Sequence, residues 1–270
     1  MMETYETIRF SLDGGTGRLT LARPERHNAQ NPRMWEELRD LGSTLLSDRP
    51  LKCLVVAGEG RSFSAGIDLV EGLSDHMTRL LGCPTDDEAI ELGLESVRSF
   101  DWLRLLEYPT LAIVHGHAYG AGLQLALACD FRVFAESARV GLTEIRYGII
   151  PDMGASWRLP HLIGEARAKE MILLARELSA GEAQQVGLAN DVVPDTSLDE
   201  CESEWIARLT SLPPLAVSAA KRAIDSAWRL DYEAAQLEAV GSQLRCLRSK
   251  DFSESLSALA AARRSRLSGT

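Results

Sequence analysis

Two glycine-rich segments, each following a run of apolar residues, constrain this chain most. The first, Ser62-Phe63-Ser64-Ala65-Gly66-Ile67-Asp68-Leu69, comes after Leu51-Lys52-Cys53-Leu54-Val55-Val56-Ala57. The second, His115-Gly116-His117-Ala118-Tyr119-Gly120-Ala121-Gly122-Leu123-Gln124, comes after Thr110–Val114. Short, largely apolar runs closed by turn residues read as strands buried on both faces. Ala121–Ala128 has helix-forming composition, so the second bend opens a helix. Small residues let the backbone approach a ligand, and a helix start aims free amides. Two amides converging from separate loops are what an oxyanion hole requires, although tight strand-to-helix packing uses the same residues.

The surrounding chain predicts an α/β layer structure. Thr7–Leu12 and Arg18–Ala22 are β-prone runs joined by Asp13-Gly14-Gly15-Thr16-Gly17, a hairpin signal. Helical spacing recurs in Pro32–Leu46 through Met34, Leu38, Leu41 and Leu45, and in Glu88–Leu106 through Ile90, Leu94, Val97, Phe100 and Leu103. Phe131–Ala135 and Arg139–Leu142 read as strands and Glu165–Leu174 as a helix. Alternating strands and helices place residues 1–200 in one core. Residues 201–270 carry few strand signals; Leu215–Leu230 and Tyr232–Leu247 read as helices that could pack on another subunit or equally back on their own domain.

Composition narrows the partners. Lys+Arg 29 against Asp+Glu 39 leaves a net charge of −10, which disfavours nucleic acid and anionic membranes, since both demand clustered positive charge. The five cysteines are scattered without metal-site spacing and read as reduced thiols in a cytoplasmic protein. The acidic opening MMETYETIRFSLDGG reaches a turn before an apolar stretch can accumulate, so no secretory signal is expected. No P-loop, HExxH pair or GxSxG elbow is present.

Downstream, Gly141-Leu142-Thr143-Glu144-Ile145-Arg146-Tyr147-Gly148-Ile149-Ile150-Pro151-Asp152 sets a carboxylate among apolar residues after a strand. Burial would raise its pKa and prepare it to move a proton; a solvated surface glutamate is the alternative.

Taken in order, Leu21-Ala22-Arg23-Pro24-Glu25-Arg26-His27-Asn28-Ala29, the two bends, the Glu144 segment and Leu178-Ser179-Ala180-Gly181-Glu182-Ala183 resemble the enoyl-CoA hydratase/isomerase (crotonase) superfamily. The resemblance implies a crotonase-like spiral of ββα units with a helical C-terminal oligomerisation region, assembled as a trimer or dimer of trimers. It implies acyl-CoA thioester substrates and an enolate intermediate, with coenzyme A belonging to the substrate and neither metal nor separate cofactor. By motif, the Ile67 and Ala121 amides would hold the thioester oxygen and Glu144 would be the acid/base. Arg26, Ala65, Gly66, Asp68 and Gly120 fall on positions that line CoA or substrate.

Departures from the family pattern bear on the reaction. Gln124 stands where hydratases carry a second glutamate and cannot exchange a proton at neutral pH. Asp152 coincides with an acidic position of dienoyl-CoA isomerases, or caps the turn after Pro151. Val70 replaces a frequent lysine near CoA. Leu73, Met77, Leu80 and Leu81 lie where the family builds its acyl pocket, and could line it or merely cover the core. His115, His117 and Cys129 are read as structural. Isomerisation of an enoyl-CoA double bond is the expected reaction, with hydration and a silent acyl-CoA-binding role as alternatives.

Overall fold

The computed structural model describes residues 2–48 and 51–267, in two compact units, Met1–Ala207 and Arg208–Thr270. The first begins with β1 (Met2–Thr4), β2 (Ile8–Asp13), β3 (Thr16–Leu21), α1 (Pro32–Asp48), β4 (Cys53–Gly58), α2 (Gly72–Leu81) and α3 (Asp86–Leu105). It continues through β5 (Thr110–Val114), β6 (His117–Tyr119), α4 (Ala121–Ala128), β7 (Phe131–Ala135) and β8 (Arg139–Gly141). After these come α5 (Ala155–Ile163), α6 (Glu165–Leu173), β9 (Glu177–Ser179), α7 (Ala180–Gln185), β10 (Asp191–Val193) and α8 (Leu198–Thr210), which runs past the unit boundary.

Among the described residues, seven strands form one sheet in the order β1-β2-β3-β4-β5-β7-β10. The predicted hairpin is its antiparallel edge, β2 with β3; every pairing from β3 to β10 is parallel. β4 and β5 lie inside this sheet with both faces covered, which explains their unbroken apolar sequences. A smaller sheet, β6-β8-β9, extends the second bend, so the glycine-rich stretch after β5 contains a strand as well as a turn. The α1 stripe Met34, Leu38, Leu41 and Leu45 is buried as its spacing predicts, alongside Phe100 and Leu103 of α3.

The second unit holds α9 (Pro214–Ala227), α10 (Tyr232–Leu247) and α11 (Lys250–Leu267). Pro214 sits in the first turn of α9, where its missing N–H costs no hydrogen bond. Among the described residues, no helix is long and apolar enough to cross a membrane.

Candidate active site

Backbone pairing locks the two bends together. Ser64 N–H donates to the His117 carbonyl at 2.9 Å, and Tyr119 N–H donates to the Ser64 carbonyl at 3.1 Å. On the other side, Gln30 N–H donates to the Gly66 carbonyl and Asp68 N–H to the Gln30 carbonyl, each at 2.7 Å. Ile67 is therefore held through its neighbours while its own N–H is left out of the ladder. The Ala121 N–H opens α4, where a helix has no internal acceptor to offer. Neither amide has an acceptor among the described residues. Gly66, at φ +93°, is what brings them close. A Cβ there would lie 2.6 Å from the Tyr119 carbonyl oxygen and 3.6 Å from the Ala121 nitrogen.

A buried amide supports this junction from behind. Gln30 Nε2 donates to the Ala121 carbonyl at 3.2 Å, and Gln30 Oε1 accepts from Trp35 Nε1 at 2.9 Å. With both ends of the amide occupied, its orientation is fixed and α4 cannot roll away from the first bend without breaking a buried bond.

Glu144 opens a short 3-10 helix, Glu144–Tyr147, two residues beyond Leu142 and past the end of β8. Its Oε1 accepts from Gln124 Nε2 at 3.0 Å, while Gln124 Oε1 accepts from Ala155 N–H at 3.1 Å. The Gln124 side chain thus ties Glu144 to the first turn of α5. Oε2 of Glu144 is buried and has no hydrogen-bond partner among the described residues. Burial raises the Glu144 pKa; its own amide and Gln124 offset part of that, and the nearby charge of Asp152 adds to it. Such a carboxylate is a stronger base than its solvated counterpart, with one oxygen tethered and the other available.

These groups line a cavity of about 450 Å³. Of the residues expected at the site, it brings together Ala65, Gly66, Ile67, Gly120, Ala121, Gln124, Glu144 and Asp152. Asp152 keeps access to water. Burial on its protein side nonetheless raises its pKa, with its own amide and the charge of His76 opposing.

Arg26 and Asp68 are not among the lining residues. The Arg26 side chain is exposed, 3.8 Å from Glu71. The Asp68 carboxylate is buried in local structure, accepting from the Val70 and Glu71 amides at 3.0 Å each and from Arg23 at 3.1 Å. Burial opposes its ionisation, but those two amides and Arg23 together hold its pKa below the ordinary value. Met77 and Leu80 line the cavity, Leu81 is exposed away from it, and the side chain of Leu73 lies outside the described residues. His115 and His117 are engaged elsewhere, the first with the Gly60 carbonyl and the second stacked on Tyr119.

The cavity also contains residues that sequence reasoning missed: Trp35, His76, Ser96 and Tyr147. Trp35 and Ser96 sit on helices otherwise read as core, and on α2 the amphipathic stripe Leu73, Met77, Leu80 and Leu81 draws attention to its apolar members and away from the polar His76. Burial lowers the His76 pKa, with the charge of Asp152 opposing.

The model of the family "Enoyl-CoA hydratase/isomerase" matches residues 12–266. A 1,2-epoxyphenylacetyl-CoA isomerase of Escherichia coli K12 is 34% identical over 274 residues, covering 98% of this chain and 99% of the relative. The crotonyl-CoA hydratase of Syntrophomonas wolfei is 32% identical over 256 residues, 94% of this chain and 95% of its own. A Thermobifida fusca YX protein solved in complex with acetoacetyl-CoA superposes with a TM-score of 0.80 at 35% identity, over 89% of this chain and 94% of that one.

Proposed function

Because the chain belongs to the enoyl-CoA hydratase/isomerase family, we propose that it acts on enoyl-CoA thioesters through a thioester enolate and that its reaction is double-bond isomerisation. The observation that carries this reading is the unpartnered Oε2 of Glu144 in the same cavity as the unpaired Ile67 and Ala121 amides. The thioester oxygen accepts from both amides. Polarised in this way, the carbonyl acidifies the α-carbon, and Glu144 Oε2 takes the α-proton while the electron pair delocalises toward the oxygen. Each preorganised donor is worth about 3–4 kcal/mol where charge develops. Glu144 then returns the proton to the γ-carbon, so the double bond moves and no atom is gained or lost. Gln124 holds Glu144 without exchanging protons itself.

Water addition to a 2-enoyl-CoA is the second reading. The observation favouring it is Asp152, a second carboxylate in the same cavity, which would position water while Glu144 takes its proton, the oxygen bonds to the β-carbon, and Glu144 returns the proton to the α-carbon. Coenzyme A enters as part of the substrate, held by the backbone of Ala65, Gly66 and Gly120, with Arg26 and the Asp68 turn outside the cavity as further CoA contacts. The acetoacetyl-CoA complex of the T. fusca relative supports that class of ligand. We further propose assembly as a homotrimer or dimer of trimers through the helical region, supported by the exposed Leu237, Val240 and Leu244 of α10. The five unbridged cysteines support a cytoplasmic location.

The test incubates the protein with crotonyl-CoA and, separately, with a 3-enoyl-CoA, following product mass and the absorbance of the conjugated 2-enoyl thioester. Isomerisation leaves mass unchanged, whereas water addition as the sole reaction overturns the isomerase reading. Glu144→Gln is expected to lose about 10²–10⁴-fold in turnover while still binding acyl-CoA. Turnover like that of the unaltered protein removes Glu144 as the base.

A further inference from the structure

Double-bond isomerisation through an enolate needs one base and two oxygen-binding donors, yet the cavity contains further polar side chains, among them three, His76, Ser96 and Asp152, that isomerisation leaves unused. His76 comes from α2, Ser96 from α3 and Asp152 from the loop before α5, so three separate elements contribute them. They stand beside Trp35, Met77, Leu80 and Met153, the kind of surface that suits an acyl chain. The His76 ring rests edge-on against Trp35, with centroids 5.1 Å apart, which fixes its plane. No hydrogen bond joins His76 to Asp152, although each feels the charge of the other, so a gap separates them. The Ser96 residue is only 5% exposed, and its hydroxyl makes no hydrogen bond among the described residues. A plain alkyl chain placed here would take water from all three groups and return nothing.

We propose that this cavity selects acyl-CoA thioesters bearing a hydroxyl group beyond the β-carbon, recognised by His76, Asp152 and Ser96. This deepens, and rests on, the enoyl-CoA reading above. A hydroxyl both donates and accepts, which matches a carboxylate acceptor, a neutral imidazole and a serine hydroxyl. Burial keeps the imidazole neutral near pH 7, because its pKa lies below the ordinary 6.5. A terminal carboxylate fits poorly, since it would approach Asp152 and Glu144, both carboxylates. The selectivity is for a neutral polar chain over both an alkyl and an anionic one.

The test uses non-reactive saturated thioesters, so that it reads binding independently of turnover. Titration calorimetry compares hexanoyl-CoA, its derivatives with a hydroxyl at each carbon from the fourth to the sixth, and adipyl-CoA. At least one hydroxy derivative is expected to bind about 10–100-fold more tightly than hexanoyl-CoA, with adipyl-CoA weakest. In His76→Phe, which keeps an aromatic edge against Trp35, and in Ser96→Ala, that ratio is expected to fall toward one. Equal affinities for all thioesters, a preference for hexanoyl-CoA or adipyl-CoA, or an unchanged ratio in both variants overturns the proposal alone. Failure of every thioester to bind overturns the enoyl-CoA reading together with it.

Discussion

Replacing Gln124 by Met tests the most specific claim about the base. The substitution keeps a long unbranched side chain but removes both hydrogen bonds of the amide, to Glu144 Oε1 and from Ala155 N–H. A hydrogen bond to a charged group contributes about 1.5–3 kcal/mol. Since about 1.4 kcal/mol corresponds to tenfold, losing it weakens acid dissociation of Glu144 on the order of 10–100-fold. Water reaching the cavity favours the lower part of that range. The sign follows from the role: only ionised Glu144 accepts a proton, and the variant needs a higher pH to ionise it. The acidic limb of a kcat/KM profile is therefore expected to move to higher pH, with the alkaline side unchanged. Kinetics across pH on an enoyl-CoA substrate, alongside a thermal melt to establish that the variant folds, measure this. A folded variant whose acidic limb stays in place would refute the argument that Gln124 tunes the base.

Other perturbations test the surrounding structure. Glu144→Gln is expected to raise the melting temperature near pH 7, because it removes a carboxylate whose pKa burial raises, and the gain should fade as pH falls through the raised folded value and be gone below the ordinary 4.5. A variant that melts lower at pH 7 would contradict this. Asp68→Asn does the reverse: the Asp68 pKa is held down, so its stabilisation is present above 3.8 and lost as pH falls through the lower folded value. Breaking the buried pair with Arg23 should cost about 3 kcal/mol by denaturant unfolding at neutral pH, and the two proteins should converge in acid. Gly66→Ala drives a Cβ to 2.6 Å from the Tyr119 carbonyl oxygen at a positive φ; a drop in kcat larger than any rise in KM is expected, together with a lower melting temperature. Asn28→Ala leaves the Arg23 amide and the Glu59 and Ser62 carbonyls without their side-chain partner, and urea titration should register a loss of about 2–4 kcal/mol.

Local pattern carried far where one element's sequence is answered by one kind of environment. The all-apolar β4 and β5, the hairpin of β2 and β3 and the four-residue stripe on α1 all lie where their periodicity puts them. The glycines of both bends likewise announce close backbone approach, and Gly66 and Gly122 make it, Gly122 against Ser64. Pattern fails where an element is short or serves two environments. β6 is three residues inside a glycine-rich bend, too short for alternation to register, and its partner β8 is a short strand of the same second sheet. α2 has one side toward the cavity and exposed Leu81 on another, so its amphipathicity marks no core. The motif around Asp68 suggested a ligand contact through its backbone; which local groups engage the carboxylate, two amides and Arg23, was not legible there.

By itself the sequence determined the alternation of buried strands and helices, the two bends and an acid/base candidate at Glu144. Those depend on composition and spacing within a few residues, which fix backbone conformation locally. Only the tertiary structure decided that Ile67 and Ala121, 54 positions apart in sequence, leave unpaired amides in one cavity, that Gln124 tethers one oxygen of Glu144 and leaves the other free, and that His76, Ser96 and Asp152 face the same space. Such groups are brought together by packing between distant elements, and no local periodicity records which side chains will meet across a cavity.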